Sequence, residues 1–386
     1  MTKPRIAIFL DEMGVGGIPV ACLSFLENLK DRAEVTMVLE KDTGVFTDRI
    51  PDGVRVIVKP NIGASASIKH ALAKRKYMKF VLSAMSYKLY SATDRWIRAS
   101  AVACKCRGEL IGEEFDIAIA YHGMSASQMN RVLFGVKAKK KVAWIQGDHS
   151  FEDRYKKDAL WVYEQFDHIF CVSEVTKGRF LSDFPSVKDK TSVYYMHLPV
   201  EEIIRKADLE AVEFPSEYTS IVTVGRVSPE KGQDMVPAVA KRLVAKGHKI
   251  RWYIVGDGAD RERIESLIKA EGVEDSVIML GNKTNPYPYI KACDLYVQPS
   301  YTEGYGLTIF EAAILNKVVV ATRVGGAVEK LSDGEEAIFV ESTVEDIADG
   351  IELALSDEAL RNKIKENIAK RDFSNKEEVT KIISII

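Results

Sequence analysis

Two glutamates stand eight positions apart in Ser300-Tyr301-Thr302-Glu303-Gly304-Tyr305-Gly306-Leu307-Thr308-Ile309-Phe310-Glu311. An apolar run ends at Gln298-Pro299, a glycine-bearing loop follows, and a helix is predicted to begin near Gly306. Free backbone N–H groups at a helix start, with the positive end of its dipole, form an anion site. Gly304 and Gly306 let a ligand approach the backbone closely. Glu303 falls in the loop, and Glu311 falls in the helix, about 7 Å further along at ~1.5 Å per residue. Carboxylates beside a phosphate site work against it unless they have another task, and accepting hydrogen bonds from sugar hydroxyls is such a task. A nucleotide sugar suits this pattern, with its diphosphate on the helix start, one Glu on the sugar and the other on the ribose. Taken alone, the pair reads equally well as a capping carboxylate plus a surface Glu.

A second constellation is Gly225-Arg226-Val227-Ser228-Pro229-Glu230-Lys231-Gly232, again just after an apolar run. Arg226 offers a planar fork to a diphosphate and Lys231 adds a point charge. Two cations offset a diphosphate without a metal. In isolation they could equally be surface cations of a loop. Gly256-Asp257-Gly258, after the next apolar run, forms a tight turn that admits a ligand near the backbone.

These segments need strands to hold them. Strand-like runs recur at Arg5 to Leu10, Glu34 to Leu39, Arg55 to Lys59, Phe115 to Tyr121, Lys141 to Gln146, His168 to Ser173 and Val193 to Leu198. A second set covers Ser220 to Gly225, Arg251 to Val255, Val277 to Leu280, Leu295 to Gln298, Val318 to Thr322 and Ala337 to Val340. Several are continuously apolar, which suits parallel strands covered on both faces. Helix-length segments such as Gln233 to Lys246 and Ala259 to Ala270 separate them. The alternation predicts two doubly wound α/β sheets, with ligands outside the carboxyl ends of the strands. The charged stretch Pro199 to Glu217 reads as the linker between the two.

The chain's 386 residues allow two or three domains. With 46% hydrophobic and 28% charged residues it is neither disordered nor fibrous. A formal charge of −2 gives no reason to expect nucleic acid. No apolar run is long enough to span a bilayer, and the N-terminus lacks a secretory pattern, so a cytoplasmic protein is expected. Five scattered cysteines, including Cys104-x-Cys106, fit free thiols and not a zinc site. No Asp-x-Asp pair occurs. One stretch departs from this even balance, with ten cations and two anions between Ile68 and Leu110 interleaved with Tyr77, Phe80, Tyr87, Tyr90 and Trp96. Residues 68–110 therefore predict contact with the anionic inner face of the cell membrane, against the plainer reading of a solvated helical face.

Gly225-Arg226 with Glu230-Lys231-Gly232, Gly256-Asp257-Gly258, Leu280-Gly281-Asn282, Glu303 to Glu311 and Gly325-Gly326 with Glu329 resemble, in order and spacing, the donor half of family 4 retaining glycosyltransferases. The likeness covers roughly residues 220 to 345. It implies the GT-B fold: two Rossmann-like doubly wound domains facing a cleft. Residues 1–199 would form the acceptor domain and 200–371 the linker and donor domain, while the helix in 372–386 returns to the first. Carried over, Arg226 and Lys231 hold the diphosphate, Glu303 contacts the transferred sugar and Glu311 the ribose. Gly225, Gly256 and the backbone of Gly304, Tyr305, Gly306 and Leu307 line the donor, with Asn282 beside the base.

The first half matches less closely. Gly14-Val15-Gly16-Gly17 resembles the family's glycine-rich loop, with Gly16 and Gly17 on the acceptor side, and is no dinucleotide fingerprint because Pro19 stands where a third Gly or Ala belongs. In Trp144-Ile145-Gln146-Gly147-Asp148-His149, Gln146 stands where relatives often carry His, which leaves Asp148 as the catalytic candidate and His149 and His122 as acceptor-side candidates. Cys171-Val172-Ser173-Glu174 reads as a helix start and not as a nucleophile. The resemblance implies hexose transfer from a nucleotide diphosphate sugar, UDP-linked by preference, with retention; with no Asp-x-Asp pair and no metal-spaced cluster in the sequence, neither metal nor cofactor is expected. A glycan or lipid-linked acceptor of envelope or capsule synthesis is expected. Rivals are an inactive GT-B subunit that binds a nucleotide sugar or supports a partner transferase, an epimerase or phosphorylase of the same fold and, more distantly, a dehydrogenase.

Overall fold

The computed structural model describes residues 3–14, 16–60, 88, 96–147 and 152–386. The chain forms two compact units, Met1–His197 with Asn375–Ile386, and Leu198–Ser374. In the first, β1 Arg5–Leu10, β2 Glu34–Leu39, β3 Arg55–Val58, β4 Glu114–Ala120, β5 Lys137–Ile145, β6 His168–Cys171 and β7 Thr191–Val193 form one sheet in the order β3-β2-β1-β4-β5-β6-β7. In the second, β8 Thr219–Val224, β9 Ile250–Val255, β10 Val277–Gly281, β11 Leu295–Gln298, β12 Val318–Thr322 and β13 Ile338–Val340 take the order β10-β9-β8-β11-β12-β13. Every strand pair is parallel. Each sheet thus reverses its winding once, between β1 and β4 and between β8 and β11, and such crossings are where open α/β sheets hold ligands.

The central strands are buried on both faces, as their apolar runs required. All five residues of β12 are buried, and each buried Val contributes about 1.5–3 kcal/mol through the hydrophobic effect. Trp252 of β9, Val297 of β11 and Ile351 of the Val344–Ser356 helix share the second unit's core. Phe115, Ile145 and Tyr163 share the first unit's.

Two segments differ from expectation. The last strand of the first sheet is Thr191–Val193, not Val193 to Leu198. Beyond it, Tyr194 and His197 are buried by ring packing on Phe25 and Trp144, and not by a strand ladder. The expected linker holds a helix, Val200–Ala207. Glu201 and Glu202 sit in its first turn and Arg205 and Lys206 in its last, the arrangement a helix dipole favours. Its buried stripe is only Ile203 and Ala207, too narrow to stand out among the charges. It packs on the helices Tyr287–Ala292 and Leu307–Ile314.

Most of the basic stretch at 68–110 lies outside the described residues. Its end is the helix Trp96–Arg107, where Arg98 pairs with buried Asp158 at 2.8 Å and lies over Trp161. Lys105 lies over Phe134, 4.3 Å from the ring centre. These two cations therefore serve the first unit's own packing. Among the described residues no helix is long and apolar enough to cross a membrane. The C-terminal segment belongs to the first unit: Asn375 Nδ2 donates to the Met196 carbonyl, and Glu378 accepts from the Tyr195 N–H.

Candidate active site

The loops after β8 and β11 are joined through their backbones. The N–H groups of Tyr301 and Thr302 both donate to the Glu230 carbonyl, at 3.0 and 3.2 Å. Gly232 adopts a left-handed φ of 63°, and a Cβ there would overlap the Pro299 carbonyl oxygen. This latch sets Lys231 Nζ 2.8 Å from Glu303 Oε1. Ser300 Oγ donates to the same oxygen at 2.8 Å, and Ser300 in turn accepts from Gln298 Nε2 at 2.9 Å. Gln298 is wholly buried and accepts from Tyr296 OH at 2.7 Å. Glu303 is thus fixed by a chain of hydrogen bonds that starts inside the sheet. Gly325 packs against Glu303 from the loop after β12, where a Cβ would stand 2.8 Å from the Glu303 carbonyl oxygen.

The helix Leu307–Ile314 opens at Gly306 with no side-chain cap, and the Ile309 N–H turns back to the Gly306 carbonyl at 3.0 Å. Tyr305 is buried, its ring stacked on Phe310 at 4.7 Å, so the ring serves packing. Glu311 lies on the same helix, buried, and accepts from Tyr287 OH at 3.2 Å. Burial pushes its carboxyl up to about 7, while the Tyr287 hydroxyl and the Lys206 charge pull the other way. The two glutamates therefore have unlike surroundings: Glu303 has an ion-pair partner and Glu311 has a phenol.

Around this centre, Arg226 and Asn282 are exposed at the carboxyl ends of β8 and β10, and Gly225 and Gly256 adjoin each other after β8 and β9. Burial works against the charge of Glu230, but the Ser228 hydroxyl, its own N–H and the Lys231 and Arg226 cations outweigh it and hold the carboxyl below its ordinary range. Lys231 is engaged by Glu303, so a diphosphate would meet it as part of a pair and not as a lone cation. Four residues of this arrangement were not singled out from the sequence: Tyr287, Gln298, Ser300 and Lys206.

In the first unit, Gly16 precedes the helix Gly17–Leu29 after β1. Gln146, at the end of β5, is buried and its Nε2 donates to the Tyr121 carbonyl at 2.5 Å. Gln128 accepts from the His122 N–H at 2.9 Å. The two glutamines thus hold the peptide group that joins Tyr121 to His122 from both ends. Asp148 and His149 lie outside the described residues. Ser173 caps the helix Glu174–Asp183, and burial pushes the neighbouring Cys171 thiol up to about 12, as befits a helix start and not a nucleophile.

The family model described as "Glycosyl transferases group 1" matches residues 204–371, the span that holds all of the Lys231, Glu303 and Glu311 geometry. That stretch is what the chain shares with the group 1 glycosyltransferases. Alpha-D-kanosaminyltransferase from Streptomyces kanamyceticus is 31% identical over 168 residues, 43% of this chain and 44% of that one. An uncharacterized glycosyltransferase of Methanocaldococcus jannaschii is 27% identical over 50% of each chain, so these matches span about half of the curated relatives' length. The N-acetylgalactosamine-N,N'-diacetylbacillosaminyl-diphospho-undecaprenol 4-alpha-N-acetylgalactosaminyltransferase of Campylobacter jejuni is 27% identical over 375 residues, 95% of this chain and 94% of that one. Among solved structures, HepE from Anabaena in complex with UDP-glucose superposes with a TM-score of 0.69 at 18% identity, covering 99% of this chain and 100% of that one. The chain therefore has the fold of the GT-B class.

Proposed function

We propose that the protein transfers a hexose from a nucleotide diphosphate sugar, with retention at the anomeric carbon, to a glycan or lipid-linked acceptor of envelope or capsule synthesis. The observation that carries this reading is the Lys231–Glu303 pair, held by Ser300 and Gln298 beside the uncapped start of the Leu307–Ile314 helix. The diphosphate lies on the helix start with Arg226 and Lys231, which balance its charge without a metal. Glu303 accepts from a hydroxyl of the transferred sugar, and Glu311 from the ribose. Gly225, Gly256 and Asn282 complete the donor wall.

Retention follows from attack on the leaving-group face, with a donor phosphate oxygen taking the acceptor's proton, so no carboxylate nucleophile is needed. Catalysis then rests on positioning and on charge stabilisation at the departing phosphate. Uridine is favoured as the base because the Anabaena HepE structure holds UDP-glucose. A lipid-linked acceptor is favoured because the Campylobacter relative, aligned through both units, is named for a diphospho-undecaprenol substrate. Gly16, Gly17, His122, Gln146 and His149 are the acceptor-side residues of this reading, and Asp148 is its catalytic candidate in the first unit. A panel of nucleotide sugars scored for nucleotide release, followed by NMR of the anomeric product, tests it. Release from no donor, or an inverted product, overturns it.

A further inference from the structure

The proposed ribose contact places Glu311 at the nucleotide, and the structure adds a residue behind it that no motif contains. Tyr287 opens the short helix Tyr287–Ala292 after β10 and is buried. Its hydroxyl donates to Glu311 Oε1 at 3.2 Å, and among the described residues this is the one hydrogen bond made to that carboxyl group. We infer that Tyr287 is a positioning residue for donor recognition: by holding Oε1 it turns Glu311 Oε2 toward the 2′- and 3′-hydroxyls of the nucleotide ribose.

The elements packed around Glu311 support the assignment. The Val200–Ala207 helix lies against both the Tyr287–Ala292 and Leu307–Ile314 helices. It brings Lys206, tied to Glu202 at 2.8 Å, near enough for its charge to favour the ionised carboxyl. From β11, Tyr296 lies within electrostatic reach of both Glu303 and Glu311, its phenol pushed up by burial and engaged with Gln298. Tyr287 and Lys206 are the two groups that oppose the burial cost of an ionised Glu311. An ionised carboxylate accepts from both ribose hydroxyls, whereas a protonated one has lost part of its acceptor capacity. Tyr287 therefore fixes both the direction of Glu311 and the pH at which it reads the ribose.

The inference rests on the ribose role of Glu311, and the test separates the two. Calorimetry of the full chain with UDP and with 2′,3′-dideoxy-UDP, from pH 6 to 8.5, should show wild-type protein preferring the ribo form at least tenfold, on the order of one lost bidentate contact. That preference should grow as pH rises through the Glu311 titration. Tyr287→Phe should lower affinity for UDP about five- to tenfold, leave dideoxy-UDP unchanged, and move the pH midpoint of the preference upward. Tyr287→Phe added to Glu311→Gln should cost nothing further. Wild-type protein that binds neither nucleotide, or both alike, overturns the ribose reading and this inference with it. Wild-type protein that discriminates, with Tyr287→Phe discriminating equally or weakening both ligands equally, overturns the role of Tyr287 alone. If Tyr287→Phe does not fold, Tyr287→Met takes its place and is read the same way: lost discrimination with an upward-shifted pH midpoint upholds the inference, and wild-type discrimination sinks it.

Discussion

At the crossing between β8 and β11 the second unit places Lys231 against Glu303, whereas at the crossing between β1 and β4 the first unit places Gln128 and Gln146 on either end of one peptide group. The strand orders correspond, so topology supplies the location in both and the loop residues supply the chemistry. Neutral amides fix a backbone at little electrostatic cost. A lysine and a glutamate that are both largely covered pay for desolvation and return little net stability. On the proposed function the second crossing keeps a charged pair for what it binds, and the first keeps amides for the shape they impose.

Making the second crossing resemble the first is the strongest test of that contrast. Glu303→Gln should lower kcat by about 10²–10³-fold, or roughly 3–4 kcal/mol, with donor and acceptor saturating and with unchanged circular dichroism. Near-wild-type kcat would remove Glu303 from the site. Next comes the other glutamate. Because burial raises Glu311 from 4.5 to about 7, the folded chain keeps a proton that the unfolded chain releases. Its contribution to stability is nil below the unfolded value, turns unfavourable as pH rises between the two values, and is fully unfavourable above the folded one, by about 3 kcal/mol. Glu311→Gln should accordingly raise the melting temperature by several degrees at pH 8.5 and leave it unchanged at pH 4. An equal gain at both pH values would mean that the carboxyl does not titrate differently on folding.

A smaller effect belongs to the amide crossing. Gln146→Ala strands the buried Tyr121 carbonyl and should cost about 1–2 kcal/mol in urea unfolding. A midpoint equal to wild type would show that water replaces the amide. The smallest expected effect is none: on the proposed reading Arg226 and Lys231 carry the charge balance, so a chelator should leave transfer intact. Loss of activity on chelation, restored by added magnesium or manganese, would reassign that role to a metal.

The strands were legible because parallel strands covered on both faces must be apolar throughout, as in Val318-Val319-Val320-Ala321. The Glu303 to Glu311 segment was legible because its spacing is local. What could not be read was tertiary. Lys231 and Glu303 are 72 positions apart, and nothing in either segment states that Glu230 and Thr302 share a backbone hydrogen bond. Gln298 and Ser300 were in plain view, but their task depends on a burial that only packing creates. The same holds for the raised titration of Glu311: burial that only packing creates raises it, while a phenol 24 positions upstream and a lysine on the helix within the expected linker pull against it. The Val200–Ala207 helix escaped notice because two buried residues do not make a visible period.

The seating of Gly232 under Pro299 carries a consequence for how this kind of pocket can diversify. With no room for even one methyl group between the two loops, neither can be redrawn while the other is held. If these loops hold the donor as proposed, a graft meant to change sugar preference must transplant 225–232 and 299–306 as a matched set, and a lineage exploring new donors must alter them in step.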